Sequence, residues 1–437
     1  MRKARKLLLI FGDIVSAYGA LFLTVLIRFG RSNCGQMFTR HFFPFTFLYI
    51  FWFAIFYIFN LYDLNFIKPK AESIIRTAQA LIVCLAVGII FFYSIPFFGI
   101  TPKTNLLIDI FILGIFAYTW RRFFYSLFSS RYIQNVAFLG INSLAINIGK
   151  TLTANPQLGY KPVGTLNLRQ SLMPQIKKKK IGLLILAEDF SGNKKITEQL
   201  YNLLLKRIEI MTLPQAYEDL LHKIPIDFLD QVWFLKNLRE GQKRIYDNIK
   251  RIEDIIFAIL FVLITLPLWL IIAIAIKIDD GGPVFYRQKR ISKDKKTFWL
   301  WKFRSMIVDA EKKTAKWAGE RDERITRVGR IIRRLHIDEL PQMINIIKGD
   351  ISLVGPRPER PQFVRKLEQK IPYYNLRHII KSGFTGWAQI KQFGKYARSV
   401  EDSHEKFQYD LYYIKNRSIL LDLGIILKTF QLFFNNK

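Results

Sequence analysis

Cysteine is almost missing: the 437 residues hold two, Cys34 and Cys84, and neither belongs to a C-x-x-C pair. That excludes a disulfide framework and a cysteine-based zinc site. Histidine is also scarce, and the five that occur show no metal-ligand spacing. Acidic residues number 34 against 66 basic ones, leaving a formal charge of +32. An intact dinucleotide fingerprint is lacking too. The one place where it would begin, Gly140-Ile141-Asn142-Ser143-Leu144-Ala145, has no second glycine and has alanine for the third. Backbone cannot approach a pyrophosphate closely past Asn142, which disfavours NAD binding.

Apolar residues are plentiful, at 51% of the chain with 38 Phe, and this excludes a disordered basic tail protein. They are bunched into long uncharged runs near the N-terminus, which argues against a purely soluble enzyme. A membrane protein with a basic soluble part remains. Its charge calls for an anionic partner: lipid headgroups, a phosphorylated substrate or nucleic acid. No nucleic-acid reader fold is recognisable, so that last partner is set aside.

The length suits two or three domains. Four candidate spans lie at about 7–27, 42–60, 77–98 and 104–120, each about as long as a bilayer core requires. The first has no small-residue cleavage site, so it reads as a retained span rather than a signal peptide. Cation counting predicts an N-in arrangement. Arg2, Lys3, Arg5, Lys6, Lys68, Lys70, Arg76, Arg121, Arg122 and Arg131 fall inside, and Arg28, Arg31, Arg40 and Lys103 outside. Asp13, within the first span, is expected to snorkel or to pair with Arg5 or Lys6.

From Asn135 to about Leu235 short strands (135–140, 160–166, 181–187, 207–213) alternate with helical stretches near 142–154 and 194–206. This predicts an α/β domain with a mostly parallel sheet. Lys177 to Lys180 read as a solvated turn. A fifth apolar run, Ile255 to Ile276, has cations at both ends: Lys250 and Arg251 before it, and Lys277, Arg287, Lys289 and Arg290 after it. Pro267 removes a helix hydrogen bond near its middle. A helix-break-helix that enters and leaves by one membrane face satisfies both facts, and a straight fifth span is the alternative.

The last third carries dense motifs. Gly282 to Arg290 (GPVFYRQKR) and Trp301 to Met306 (WKFRSM) are strand-like and basic, and together they suggest a pocket for a polyanion such as a diphosphate. In Ile337-Asp338-Glu339-Leu340-Pro341-Gln342, proline belongs in the first turn of a helix. Asp338 and Glu339 then sit at its N-terminus, where the macrodipole favours an ionised carboxylate. One of them can attack an electrophile while the other holds a cation. An ordinary acidic cap fits the same pair. Arg357, between Pro356 and Pro358, is held on stiff backbone, which lowers the entropy cost of a phosphate contact. Ser382 to Ile390 (SGFTGWAQI) reads as a ligand-side loop, and 418–437 as an amphipathic helix for a membrane surface or a partner.

PVFYRQKR, WKFRSM, IDELPQMINIIKGDISLVGPRPE and GFTGWAQI, in this order, make residues 250–437 closely resemble the catalytic domain of the bacterial polyprenyl-phosphate sugar-1-phosphate transferases. The four spans and the degenerate α/β domain resemble the long form of that family, which initiates exopolysaccharide or O-antigen repeat units. The implied fold is a membrane protein of α plus α/β class. It has a four-helix transmembrane bundle (1–128), a Rossmann-like α/β domain (132–238), and a small α/β catalytic domain (250–437) with a re-entrant membrane helix (252–277).

The resemblance also implies a reaction. A sugar 1-phosphate passes from a nucleotide-diphosphate sugar, a UDP-sugar by preference, to undecaprenyl phosphate through a covalent intermediate, with release of UMP. Asp338 is implied as nucleophile, and Glu339 as its partner, binding Mg²⁺ or assisting deprotonation. Arg357 is implied to touch the substrate phosphates, with Lys302, Arg304, Arg287 and Arg290 as further candidates. Implied partners are the lipid bilayer, downstream glycosyltransferases and a second subunit paired through the α/β domain. The implied place is the bacterial inner membrane, with the catalytic domain cytoplasmic.

Two departures from the family pattern occur. Leu266-Pro267 stands where a Ser-Pro break is usual, so proline alone carries the hinge. Ser382-Gly383 replaces the usual Pro-Gly, which leaves that loop less stiff. An inactive assembly scaffold and a membrane nucleotide-sugar dehydratase are the competing functions. The latter needs the fingerprint that Gly140 alone does not supply.

Overall fold

A computed structural model describes residues 2–64, 71–94, 103–206, 208–238, 240–307, 324–392 and 399–434. Lys68 and Lys70, counted above as inside cations, lie outside the described residues, as does the end of the third predicted span. The chain forms two compact units, Met1–Ala216 and Tyr217–Lys437.

The first unit opens with apolar helices. α1 (Arg2–Ile58) is interrupted at Gly30, whose φ of 71° and ψ of 175° suit glycine and divide the helix into two limbs. α2 (Ala71–Ser94) and α3 (Lys103–Ser126) pack beside them and against each other. Asp13 is buried and takes a two-pronged ion pair from Arg121 on α3, at 2.9 and 2.8 Å. This corrects the expectation of a local partner. Arg5 instead donates to the carbonyls of Leu158 (2.6 Å) and Tyr132 (3.0 Å), clamping the start of α1 onto the following domain. A buried carboxylate needs a charged partner wherever packing supplies one, and here another helix does.

That domain runs β1 (Gln134–Leu139), α4 (Ser143–Ala154), β2 (Tyr160–Thr165), α5 (Leu172–Lys179), β3 (Ile181–Leu186), α6 (Lys194–Leu205) and β4 (Glu209–Thr212). The sheet is parallel in the order β2-β1-β3-β4. The lysine run at 177–180 is solvent-exposed as expected, but it is helical and not a separate turn: it closes α5, with Lys180 in the left-handed region, where cations suit the helix C-terminus. Asn142 stands where a fingerprint glycine would. It caps α4 by accepting from the Ala145 N–H and donates to the Ala187 carbonyl, both at 2.9 Å.

α7 (Leu213–Leu221) carries the chain into the second unit, followed by α8 (Gln231–Asn237) and the 37-residue α9 (Arg244–Asp280). Pro267 lies inside α9, which continues through it to Asp280, and this corrects the expected helix-break-helix: the proline removes one hydrogen bond without ending the helix. Then come an antiparallel hairpin, β5 (Phe285–Ile291) with β6 (Thr297–Phe303), α10 (Arg327–Arg334), α11 (Gln342–Lys348) and β7 (Ser352–Val354). α12 (Pro361–Lys370), β8 (Gly383–Thr385), α13 (Trp387–Lys391), α14 (Val400–Asn416) and α15 (Ile419–Phe434) complete it.

β8 lies parallel to β7. The segment expected as a ligand-side loop is therefore core. Trp387 is buried with Val354, Val364, Phe407 and Leu411, and its indole N–H donates to the His222 carbonyl at 2.9 Å. Ile224, Ile226 and Phe234 belong to that same core, so residues 217–238 fold with the second unit.

By length and composition, three helices among the described residues suit a membrane crossing, within Ala4–Ile58, Ser73–Ser94 and Gln231–Asp280. The protein is thus a mostly helical, membrane-associated chain with a parallel-sheet α/β domain.

Candidate active site

Asp338 and Glu339 occupy a single 3₁₀ turn, Ile337–Glu339, ahead of α11, which starts at Gln342 with Pro341 as its N-cap. His336, in the left-handed region at φ 54°, turns the chain from α10 into this turn. Leu340 and Ile337 anchor it against Ile272, Ile276 and Phe303. Both carboxylates are consequently buried, at 8% and 7% exposure.

Two cations converge on them. Lys302 on β6 places Nζ 2.7 Å from Glu339 Oε1 and 3.8 Å from Asp338 Oδ2. Arg357 donates from one guanidinium nitrogen to Glu339 Oε1, and from Nη1 to Oε2 at 3.4 Å. Its side chain keeps 37% exposure, so Arg357 is not sealed off from solvent. Among the described residues, the ion-pair partner of Asp338 is Lys302 alone.

The two carboxylates are driven apart electrostatically. Burial raises the Asp338 carboxyl, and although Lys302 opposes this, Glu339 beside it adds to the rise. Burial would raise Glu339 too, but Arg357 and Lys302 override it and hold Glu339 well below the usual range. The short α11 does not decide the protonation of Asp338, because desolvation outweighs a dipole effect of about 0.3–1 kcal/mol. Glu339 is a fixed anion, and Asp338 is the more basic carboxylate of the pair.

The other candidates separate. Arg290 faces the same side of the hairpin as Lys302, but it is spent on backbone and side chain. It donates to the Pro358 carbonyl at 3.1 Å and to Gln288 Oε1 at 2.6 Å. Burial pulls it down to about 10, so it stays charged at neutral pH. Arg304 is buried in an ion pair with Asp280 at the end of α9. Arg287 is on the opposite face, stacked over Trp301 at 5.0 Å. Strand alternation puts residues 287 and 290 on opposite sides, so these cations do not form one pocket.

Further charged residues stand behind Arg357 and Glu339. Arg377, buried on the Tyr374–His378 turn, donates to the Arg357 carbonyl and to Asp410 Oδ2, both at 2.7 Å. Glu359 pairs with Lys406 at 2.7 Å. Burial would raise it, yet Lys406, Arg377 and Arg290 hold it down near 2. Arg377 had no motif signal, whereas Glu359 closes the PRPE run. Ser382 does not loosen its loop: its N–H donates to Ser292 Oγ and its Oγ to the Ile291 carbonyl, each at 3.2 Å.

The bacterial sugar transferase family matches residues 245–436, the stretch that contains this whole constellation. The chain is 35% identical over 223 residues to a UDP-glucose:undecaprenyl-phosphate glucose-1-phosphate transferase of Caulobacter vibrioides, covering 50% of this chain and 83% of that protein. It belongs to the bacterial sugar transferase family.

Longer relatives match as well. A UDP-N-acetylgalactosamine-undecaprenyl-phosphate N-acetylgalactosaminephosphotransferase of Aeromonas hydrophila is 41% identical over 227 residues, 52% of each chain. A UDP-glucose:undecaprenyl-phosphate glucose-1-phosphate transferase of Xanthomonas campestris is 31% identical over 321 residues, 68% of this bacterial sugar transferase and 66% of that protein. The chain thus spans between half and two thirds of these longer relatives.

Proposed function

We propose that this bacterial sugar transferase moves a sugar 1-phosphate from a UDP-sugar to undecaprenyl phosphate. The observation that carries the reading is the division of labour between neighbouring carboxylates: Glu339 is pinned by Lys302 and Arg357, while Asp338 is the more basic of the two. A nucleophile needs that basicity, and a neighbour held as a permanent anion needs the cations. The named relatives act on UDP-sugars and undecaprenyl phosphate, which supports the substrates.

In the first step an ionised Asp338 oxygen attacks the sugar-bearing phosphorus. The bond from that phosphorus to the bridging oxygen breaks, and UMP leaves with the electron pair. In the second step a phosphate oxygen of undecaprenyl phosphate attacks the same phosphorus and frees the Asp338 carboxylate. Arg357 and Lys302 neutralise charge on the transferring group, which is most of what such a transfer requires. Phosphate arriving at Arg357 competes with Glu339 for the guanidinium, so substrate binding and the loosening of Glu339 are coupled.

Magnesium fits in one mode. Among the described residues no group of three or more metal-ligating side chains occurs, but Mg²⁺ is commonly held by one or two carboxylates with substrate phosphates completing its shell. Glu339 would supply such a carboxylate, leaving Asp338 for the attack. Bound there, the ion neutralises phosphate charge and favours the leaving group.

The N-terminal helices serve as a four-span anchor and α9 as a re-entrant membrane helix, placing the site on the cytoplasmic face of the inner membrane. The support for re-entry is packing on both sides of Pro267. Ala258 before it lies against Met343 and Ile346, and Ile272 and Ile276 after it lie against Ile332 and Leu340. α9 makes both sets of contacts as one continuous helix, so the turn back to the same membrane face belongs to this proposal and not to the packing itself. The pathway served is the first membrane step of exopolysaccharide, O-antigen or capsule assembly, which hands the lipid product to downstream glycosyltransferases.

The test is nucleotide release in nanodiscs with undecaprenyl phosphate, Mg²⁺ and a panel of UDP-sugars. UMP from the wild type, lost in Asp338→Asn, supports the reading and names the donor. UDP in place of UMP overturns it, and no release with any donor makes the inactive scaffold the better reading.

A further inference from the structure

The outer face of the β5–β6 hairpin is left over once the active site is assigned. Its cross-strand pairs are Phe285 with Phe303, Arg287 with Trp301, and Lys289 with Trp299. Each cation lies over its partner's ring, Arg287 at 5.0 Å and Lys289 at 5.2 Å, and Lys348 from α11 reaches Trp301 at 5.6 Å. Phe285 and Trp299 remain 40% and 50% exposed, and Arg287, Lys289 and Lys348 are exposed as well. Neither strand carries a carboxylate.

The face is ordered from apolar to cationic. At one end Trp269 of α9 meets Phe303 at 5.4 Å and Phe285 at 6.4 Å. Beyond Trp269, α9 exposes Leu270, Ile271 and Ile274. Moving away from α9, the rows pass through Arg287 with Trp301 to Lys289 with Trp299. Hydrocarbon, then an aromatic belt, then cations is the sequence met on leaving a bilayer core for its headgroups.

We infer that this face is a membrane-surface plate that rests on anionic phospholipid headgroups and so fixes the height of the carboxylate pair above the bilayer. The occupant follows from charge: three cations without an acid on either strand, continuous with the apolar exterior of α9. Lys302 and Glu339 lie on the reverse face of the hairpin, so the plate meets the lipid surface without using the cations that hold the site. The inference rests on the reading of α9 as membrane-embedded.

The test uses the full chain with Cys34 and Cys84 replaced by alanine, in nanodiscs free of polyprenyl phosphate. Lys289→Cys carries an environment-sensitive fluorophore in one sample and Ile264→Cys, on the apolar exterior of α9, in another. Quenching by headgroup-labelled or chain-labelled spin lipids then reports depth. The expected result is headgroup quenching at position 289, stronger in discs with anionic lipid than in purely zwitterionic ones, with chain quenching at 264 in both. Adding Arg287→Gln and Lys348→Gln should weaken surface residence about fivefold for each charge lost, whereas Arg287→Lys should retain it. If 264 is quenched and 289 behaves as free dye in both lipids, the plate is refuted while the reading of α9 stands. If neither position is quenched, both fall. Quenching at 289 that ignores lipid charge and the glutamines overturns the choice of anionic headgroups.

Discussion

Arg377 and Arg357 are joined through the backbone: the buried guanidinium of Arg377 donates Nη2–H to the Arg357 carbonyl at 2.7 Å, while its Nε–H donates to Asp410 at 2.7 Å. The arginine that reaches Glu339 is therefore aimed by a second arginine that never meets it. Replacing Arg377 by methionine strands the Asp410 charge and should cost about 3–5 kcal/mol in stability. The double change Arg377→Met with Asp410→Leu should recover most of that loss. UMP release by the double variant should stay about tenfold or more below wild type, with the UDP-sugar KM raised. Recovery of both stability and rate would show that Arg377 only supports the fold.

The pH profile of single-turnover UMP release should expose the carboxylate pair. Asp338 must be ionised to attack, and its carboxyl is raised by burial. The acid limb should therefore lie above the ordinary aspartate value near ~4. Glu339, held far down by Arg357 and Lys302, should contribute no limb in the same range. Lys302 lowers the Asp338 carboxyl, so Lys302→Met should move the acid limb higher still. A limb that stays in place or falls in that variant contradicts the assignment.

Arg287 and Arg357 both sit in basic motifs but should behave differently. Arg357→Lys removes a forked donor that one ammonium cannot replace, and the KM for the UDP-sugar should rise about tenfold or more. Arg287→Gln acts on the opposite face of the hairpin and should leave that KM within about twofold. Steady-state kinetics in nanodiscs of fixed lipid composition decide this, and a large KM effect at Arg287 would return it to the substrate pocket.

Glycine is required where β7 and β8 close. The Gly383 N–H donates to the Pro356 carbonyl at 2.8 Å, and a Cβ on Gly383 would run into the Gly355 backbone. Gly383→Ala should lower stability by about 1–3 kcal/mol, as overpacking does. It should also depress UMP release beyond what stability explains, because Gly355 leads directly into Arg357. Thermal unfolding and turnover measured together test both parts.

Much of this protein follows from its sequence because the signals are local. Alternation of short apolar runs with amphipathic stretches places β1 to β4, and the paired carboxylates before Pro341 mark a turn ahead of a helix whatever surrounds them. The motif groups Arg287 and Arg290 in one polyanion pocket, and it is the paired hairpin that sends them to opposite faces. What only the tertiary structure decided depends on partners distant in the chain. Asp13 finds Arg121 across 108 positions, and Arg304 is drawn from the expected phosphate pocket to Asp280. The run at 382–390 becomes core because β8 lies beside β7. The two carboxylates are neighbours with the same nominal chemistry. Their difference arises where Lys302, 37 residues upstream, and Arg357, 18 downstream, converge on Glu339 and leave Asp338 the more basic. Burial and long-range charge set that distinction, and no local pattern encodes either one.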